Sequence, residues 1–200
     1  LQGLAWLPWY FAVLAPLTVC APLAGRRQMY RSSLAVGALF ALQLLAGHSQ
    51  TAFFSGVAVV LWLIAHALVS RQRHDRVSGV LVVWRAALVV GMGVVLAALL
   101  AAVQLLPTLE LAGQSSRQGG LPLNEVLSFS WHPLHLTRAL LPAYGPALFS
   151  EYVAFFPLTA LILALIGAWG WRKNPAVLPW IVLAAVMVVL AFGRFTPIYY

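Results

Sequence analysis

Residues 104–152 read QLLPTLELAGQSSRQGGLPLNEVLSFSWHPLHLTRALLPAYGPALFSEY. The chain on either side is almost entirely apolar, whereas this stretch holds three of the four acidic residues. A long connection with Pro and Gly between apolar helices usually carries function or is disordered. This one is too rich in Leu, Phe, Trp and Tyr to be a disordered segment. We therefore predict an ordered polar segment at one side of a membrane-embedded helical bundle.

Composition places the whole chain in a membrane. Of the 200 residues, 62% are hydrophobic and 8% are charged, and the mean hydropathy is +0.92. Soluble domains carry about 25% charged residues. The net charge of +8 comes from short basic clusters between apolar runs, which is the pattern of membrane topology and not of a nucleic-acid groove. We predict the lipid bilayer as a partner and no nucleic acid.

Apolar runs of about 20 residues are long enough to cross a bilayer as helices. We predict an all-α fold, a polytopic transmembrane helical bundle of about six spans that forms a single membrane domain over residues 1–200. The predicted spans cover residues 4–24, 32–47, 51–69, 80–106, 152–171 and 176–192. The polar region 107–151 would carry a short interfacial helical region between spans four and five. Because the chain starts at Leu1 and stops after an apolar run, we expect an internal fragment of a longer polytopic protein.

The distribution of basic residues orients these spans. Six spans make the loops alternate between the two sides of the membrane. Eight basic residues then fall on one side: Arg26, Arg27, Arg31, Arg71, Arg73, Arg76, Arg172 and Lys173. Three fall on the other: Arg117, Arg138 and Arg194. Since basic loops stay in the cytoplasm, we predict a multi-pass protein of the inner (cytoplasmic) membrane whose polar region 107–151 is external.

Three polar residues early in this region are spaced for one helix face. Glu110, Gln114 and Arg117 stand at i, i+4 and i+7, so they share a face if the helix continues past Pro107. One interpretation is a polar cluster that binds a phosphate or a sugar, in which Arg117 donates two hydrogen bonds. The other is a structural Glu110–Arg117 ion pair.

The string SWHPLHLTRALLP predicts a short interfacial helix. Pro133 suits the first position of a helix, which would run about nine residues to Pro142. His135 and Arg138 would share its wetter face. The helix either shapes a groove for a lipid substrate, with Arg138 on a phosphate, or anchors the chain at the interface.

Histidines and acids give weaker site predictions. His132 and His135, with Glu125 or Glu151, have the right chemistry for a divalent cation, but their spacing matches no strong motif, and we assign no metal ligand. We count Glu125 and the two histidines among the candidate substrate-binding residues.

Two further candidates lie elsewhere in the chain. His48 and Gln50 would occupy the tip of a helical hairpin, either as ordinary turn residues or as substrate-binding residues on the external side.

Two acids are candidates for a catalytic base that faces the external side. They are Glu110 and Glu151. The alternative for Glu151 is a structural one, because an acid at the start of a helix interacts favourably with the helix dipole.

Several strings of the sequence resemble a known family when taken together. GHSQ, QLLPTLELAGQSSR, LSFSWHPLHLTRALLPAYG, SEYVAFFP and AFGRFTPIYY resemble the bacterial YfhO-type membrane protein family, which is placed in the GT-C superfamily of polytopic glycosyltransferases. The resemblance covers about residues 47–200. It implies sugar transfer from a polyprenyl-phosphate donor to an acceptor outside the cytoplasmic membrane.

The same resemblance implies a catalytic Asp or Glu in a first external loop. No position here matches that motif, so we expect the catalytic acid to lie outside these residues. Five residues would then bind or support the substrate: Glu110, Arg117, Glu125, Arg138 and Glu151. Two alternatives to a transferase stay open: a transporter or flippase of lipid-linked saccharides, and a non-catalytic membrane scaffold of cell-envelope assembly.

Overall fold

The computed structural model describes residues 4–19, 25–47, 49–73, 76–115, 120–128, 130–135, 139–140 and 156–197, with the backbone alone at 4, 18–19, 70–73, 76–82 and 175. In this part of the chain all regular structure is helical, which confirms the predicted all-α class. The α-helices are α1 (Leu7–Val19), α2 (Arg26–Leu45), α3 (Ser49–Arg73), α4 (Arg76–Leu100), α5 (Ala102–Gly113), α6 (Leu123–Val126), α7 (Leu158–Trp169) and α8 (Leu178–Ala191). The chain divides into two compact units, Leu1–Gln118 and Gly119–Tyr200.

Helices α1 to α3 alternate in direction within the first unit. Tyr10 Oη donates to Gln43 Oε1 (2.9 Å), and Ser32 Oγ donates to the Val13 carbonyl (3.4 Å), so α1 and α2 are antiparallel. Helix α2 ends in a tight turn at Gly47, whose φ of +82° favours glycine because it lacks a Cβ. Helix α3 then returns along α2. The predicted hairpin is confirmed.

Helix α4 runs parallel to α2 at very close range. A Cβ built at Gly93 would lie 2.7 Å from Val36 Cγ1, and one built at Gly37 would lie 3.0 Å from the Gly93 carbonyl oxygen. Small residues permit this approach of two backbones. The register is constant: Val36 faces Gly93 and Gly47 faces Gln104, an offset of 57 positions in both cases (93 − 36 and 104 − 47).

The predicted fourth span, residues 80–106, is divided in the structure. Helix α4 ends at Leu100, Ala101 interrupts it with a φ of −92° and a ψ of 5°, and α5 continues through Pro107 to Gly113. The helix therefore continues past Pro107, which is the condition under which Glu110 and Gln114 share a face. Pro107 does not end the helix, although it removes one backbone hydrogen bond.

Two of the helices in the described ranges are long and apolar enough to cross a membrane. The qualifying windows are Ser49–Val69 and Val83–Leu100, of which 39% and 22% are buried. Several large apolar side chains of the second window are exposed, among them Leu99 at 71% and Trp84 at 63%.

The other predicted spans correspond to shorter apolar helices. Helices α1, α7 and α8 have 13, 12 and 14 residues, below the 17 or so that a perpendicular span needs. Parts of the predicted spans 4–24 and 152–171 lie outside the described residues. Helix α2 has 20 residues, but it begins with basic residues and is not among the qualifying windows.

The second unit contains α6, α7 and α8. A tight turn joins α7 to α8. Within it, Asn174 Oδ1 accepts a hydrogen bond from the Ala176 N–H (3.1 Å). This turn corresponds to the predicted basic cluster of Arg172 and Lys173. The predicted interfacial helix begins as a 3-10 turn, Pro133–His135. Residues 136–138 and 141–142 of that prediction lie outside the described ranges.

Candidate functional site

The first unit has two chemically different ends. Helix α2 begins with Arg26 and Arg27, α3 ends at Arg73, and α4 begins at Arg76. Because α2 and α4 run parallel and α3 antiparallel to them, these positions gather at one end, which we call the basic end. The opposite end, which we call the polar end, consists of residues 46, 47, 49 and 50 between and at the start of the two hairpin helices, together with α5.

Helix α5 extends the polar end beyond the hairpin turn. Gln104 lies level with Gly47, with its Nε2 3.9 Å from a Cβ built there. Nine residues of α5 follow, which corresponds to about 13 Å at 1.5 Å per residue. The residues from Leu106 to Ser115 are all exposed.

Two predicted site residues lie on this extension. Glu110 is helical and Gln114 caps the helix, so they share the predicted face, and both are exposed. Gln50, in the first turn of α3, is also exposed. The third member of the predicted face, Arg117, lies outside the described residues, as does His48. The predicted Glu110–Arg117 pair therefore stays a prediction.

An apolar groove, which we call the α3 groove, lies beside the polar end. Its volume is about 650 Å³. It follows α3 from Ser49 to Val60 and is bordered by residues of α2, α4 and α5, including Leu44, Val94 and Leu105. Its length along α3 is about 16 Å. An extended hydrocarbon chain is the kind of ligand that such a lining accommodates.

A buried polar network crosses the interior of the first unit. Gln43, which is fully buried, accepts from Tyr10 Oη (2.9 Å), and its Nε2 donates to Ser55 Oγ (2.9 Å). Ser55 Oγ in turn donates to the Thr51 carbonyl (2.9 Å). Our sequence analysis missed these residues because it searched the spans for charges. An uncharged Gln within a predicted span was the available signal, since polar side chains inside apolar helices need partners.

In the second unit, Ser130 holds the chain to the end of α8. Ser130 Oγ accepts from the Arg194 backbone N–H (2.9 Å) and donates to the Leu127 carbonyl (2.7 Å). A Cβ built at Gly193 would collide with Ser130, and Gly193 has a φ of +49°. Only glycine combines that conformation with this approach at low cost.

Aromatic contacts extend this junction. The backbone N–H of Trp131 donates to the Ala191 carbonyl (2.9 Å). The Trp131 ring stacks on the Phe192 ring, with the two centroids 6.0 Å apart. The His132 ring lies edge-on to Phe195 (4.6 Å). The Arg194 guanidinium carbon lies 5.3 Å from the same Phe195 ring. Sequence analysis recorded Arg194 only as a loop charge and did not predict that residues 130–132 bind residues 191–195.

One hydrogen bond indicates the tautomer of a neutral His132. His132 Nδ1 accepts from the Leu134 N–H (3.1 Å), so a neutral imidazole carries its proton on Nε2. The His132 and His135 rings lie 5.8 Å apart. Within the described ranges no three His, Cys, Asp or Glu residues form a metal-binding group. Glu125 is exposed in α6, and Glu151 and Arg138 lie outside the described residues.

Comparison with protein-family models, curated proteins and solved structures finds no match. The predicted site residues therefore rest on the sequence and on the geometry above. That geometry brings Glu110, Gln114 and Gln50 to the polar end of the first unit. It joins His132 to Arg194 through Phe195 in the second unit.

Proposed function

We propose that this chain is part of a multi-pass GT-C-type glycosyltransferase of the cytoplasmic membrane, with six spans. It transfers a sugar from a polyprenyl-phosphate donor to an acceptor outside that membrane. The polar end and region 107–151 face outward and hold the donor. Arg117 or Arg138 neutralises its phosphate, and a carboxylate deprotonates the acceptor hydroxyl.

The observation that supports the membrane part of this proposal is the separation of the two ends of the first unit. Arginines mark one end, and Glu110, Gln114 and Gln50 mark the other, with two long apolar helices between them. Basic residues stay on the cytoplasmic side, so the polar end is the external one. The α3 groove opens beside that end and fits the hydrocarbon chain of a lipid-linked donor. The transfer chemistry itself is taken from the family resemblance.

A transfer assay on the full-length protein tests the function. Arg117→Ala is expected to abolish sugar transfer from the polyprenyl-phosphate donor while membrane insertion stays normal. Arg172→Ala, which removes a charge from the predicted cytoplasmic loop, is the control and should keep full activity. Transfer in detergent, where no second compartment exists, separates a transferase from a flippase. Full activity of Arg117→Ala would exclude the phosphate role.

A topology map tests the orientation on which the site depends. Reporter fusions at Gly119 and at Arg73 are expected to lie on opposite sides of the membrane. If both report the cytoplasm, the external placement of the polar region is wrong.

A further inference from the structure

A second apolar groove, which we call the α4 groove, lies on one face of α4. It runs from Trp84 to Leu99, about 22 Å along the helix, and its volume is about 540 Å³. Gly91 lies at its centre, and a Cβ built there meets nothing within 4 Å. At Gly91 the groove therefore reaches the backbone of α4, because no side chain lies over it.

One end of the α4 groove lies at the basic end of the first unit. The offset of 57 positions between α2 and α4 places Arg27 level with Trp84. Arg26 and Arg27 are both exposed, and Arg31 is exposed one turn further along α2. No carboxylate within the described residues forms an ion pair at this end. Asp75, the acid that the sequence places in the adjoining loop, lies outside those residues.

We propose that the α4 groove binds an anionic phospholipid of the leaflet on the basic side. The phosphate is held by Arg26 and Arg27, and one acyl chain lies along the face from Trp84 past Gly91 towards Leu99. Clusters of Arg at the ends of transmembrane helices attract anionic headgroups. A bidentate guanidinium suits the phosphate oxygens.

Charge complementarity favours a lipid over a protein helix as the occupant. A helix that filled the groove without an acid would leave Arg26 and Arg27 without a counter-charge. The apolar helices α7 and α8 contain no acidic residue. A phospholipid places a negatively charged headgroup at one end of an apolar chain, which matches the arginines at one end of the apolar groove. This proposal is independent of the proposed sugar transfer, because the lipid lies at the end of the unit opposite to Glu110.

Lipid titration of the full-length protein, followed by native mass spectrometry, tests the proposal. Phosphatidylglycerol and phosphatidylcholine are the two probes. Phosphatidylglycerol is expected to bind more tightly. The R26Q/R27Q double variant should weaken its binding roughly thirtyfold, at about fivefold per arginine. Gly91→Leu should weaken binding through the acyl chain, because the new side chain fills the groove while the arginines remain.

Two controls match these variants. R172Q/K173Q removes the same charge from another loop, and Gly113→Leu adds the same side chain at another open glycine. Both should bind phosphatidylglycerol like the parent protein. An equal loss of phosphatidylglycerol affinity in R172Q/K173Q would show that net charge alone determines binding, and it would overturn the proposed site. Equal affinity for the two lipids, or a dimer of the chain that Gly91→Leu dissociates, would overturn it as well.

Discussion

Two glycines two residues apart on α4 allow the helix packing to be measured. Gly93→Ala places a Cβ 2.7 Å from Val36 Cγ1 and 3.2 Å from the Gly37 backbone nitrogen. Distances this short force a shift, and the backbone of α2 cannot rotate away as a side chain can. Gly91→Ala, on the open α4 groove, meets nothing within 4 Å. The same chemical change therefore has opposite consequences at the two positions.

The comparison isolates the packing contribution. Replacing Gly by Ala in a helix interior stabilises by about 1 kcal/mol, and this gain is common to both variants. Overpacking a tight contact costs about 1–3 kcal/mol. We therefore expect the free energy of unfolding of Gly93→Ala to lie about 1–3 kcal/mol below that of Gly91→Ala. Neither change adds a polar group or a charge, so solvation contributes little to the difference.

Unfolding of the full-length protein by SDS in mixed micelles, followed by tryptophan fluorescence, measures this difference. Gly37→Ala provides a second test of the same contact, because its Cβ would lie 3.0 Å from the Gly93 carbonyl oxygen. The free energy of unfolding of Gly37→Ala should fall by a similar amount. Equal stability of Gly93→Ala and Gly91→Ala would refute the close packing of α2 on α4. So would a neutral Gly37→Ala.

Other variants test the polar contacts of each unit in the same unfolding assay. Gln43→Leu removes the central group of the buried network and is expected to cost about 0.6–1.7 kcal/mol; a double-mutant cycle with Tyr10→Phe should show coupling, and strict additivity would contradict the hydrogen bond. Gly193→Ala is expected to destabilise the second unit by more than 1 kcal/mol, because it adds a Cβ at positive φ against Ser130. Ser130→Ala should relieve part of that loss, and no relief would exclude their collision as its cause.

Hydropathy and charge were sufficient to predict the helical class and the two ends of the first unit. Apolar length predicted the helices between residues 51 and 100, and the arginine clusters predicted which helix termini gather together. The α2–α3 turn was predictable because Gly47 interrupts an apolar run. These features depend on local composition, which a single sequence displays directly.

Helix lengths and long-range polar contacts were not predictable in the same way. The sequence left open whether the helix continues past Pro107, and α5 passes through it to Gly113. An exposed helix can lose one backbone hydrogen bond at a proline. The bond between Ser130 and Arg194 joins residues 64 positions apart. No local pattern indicates such a pairing.

The interior of the first unit bears on where the proposed substrate would bind. The amide of Gln43 is already engaged on both sides, by Tyr10 and by Ser55. A closed network of uncharged groups stabilises the helix packing but leaves no charge to bind an anion or to carry a proton. The described part of this unit exposes polar groups at both ends, Arg26 and Arg27 at the basic end and Glu110 and Gln114 at the polar end, and the proposed function assigns the donor to the polar end. A search for substrate-binding residues should therefore begin at α5 and proceed to Arg117.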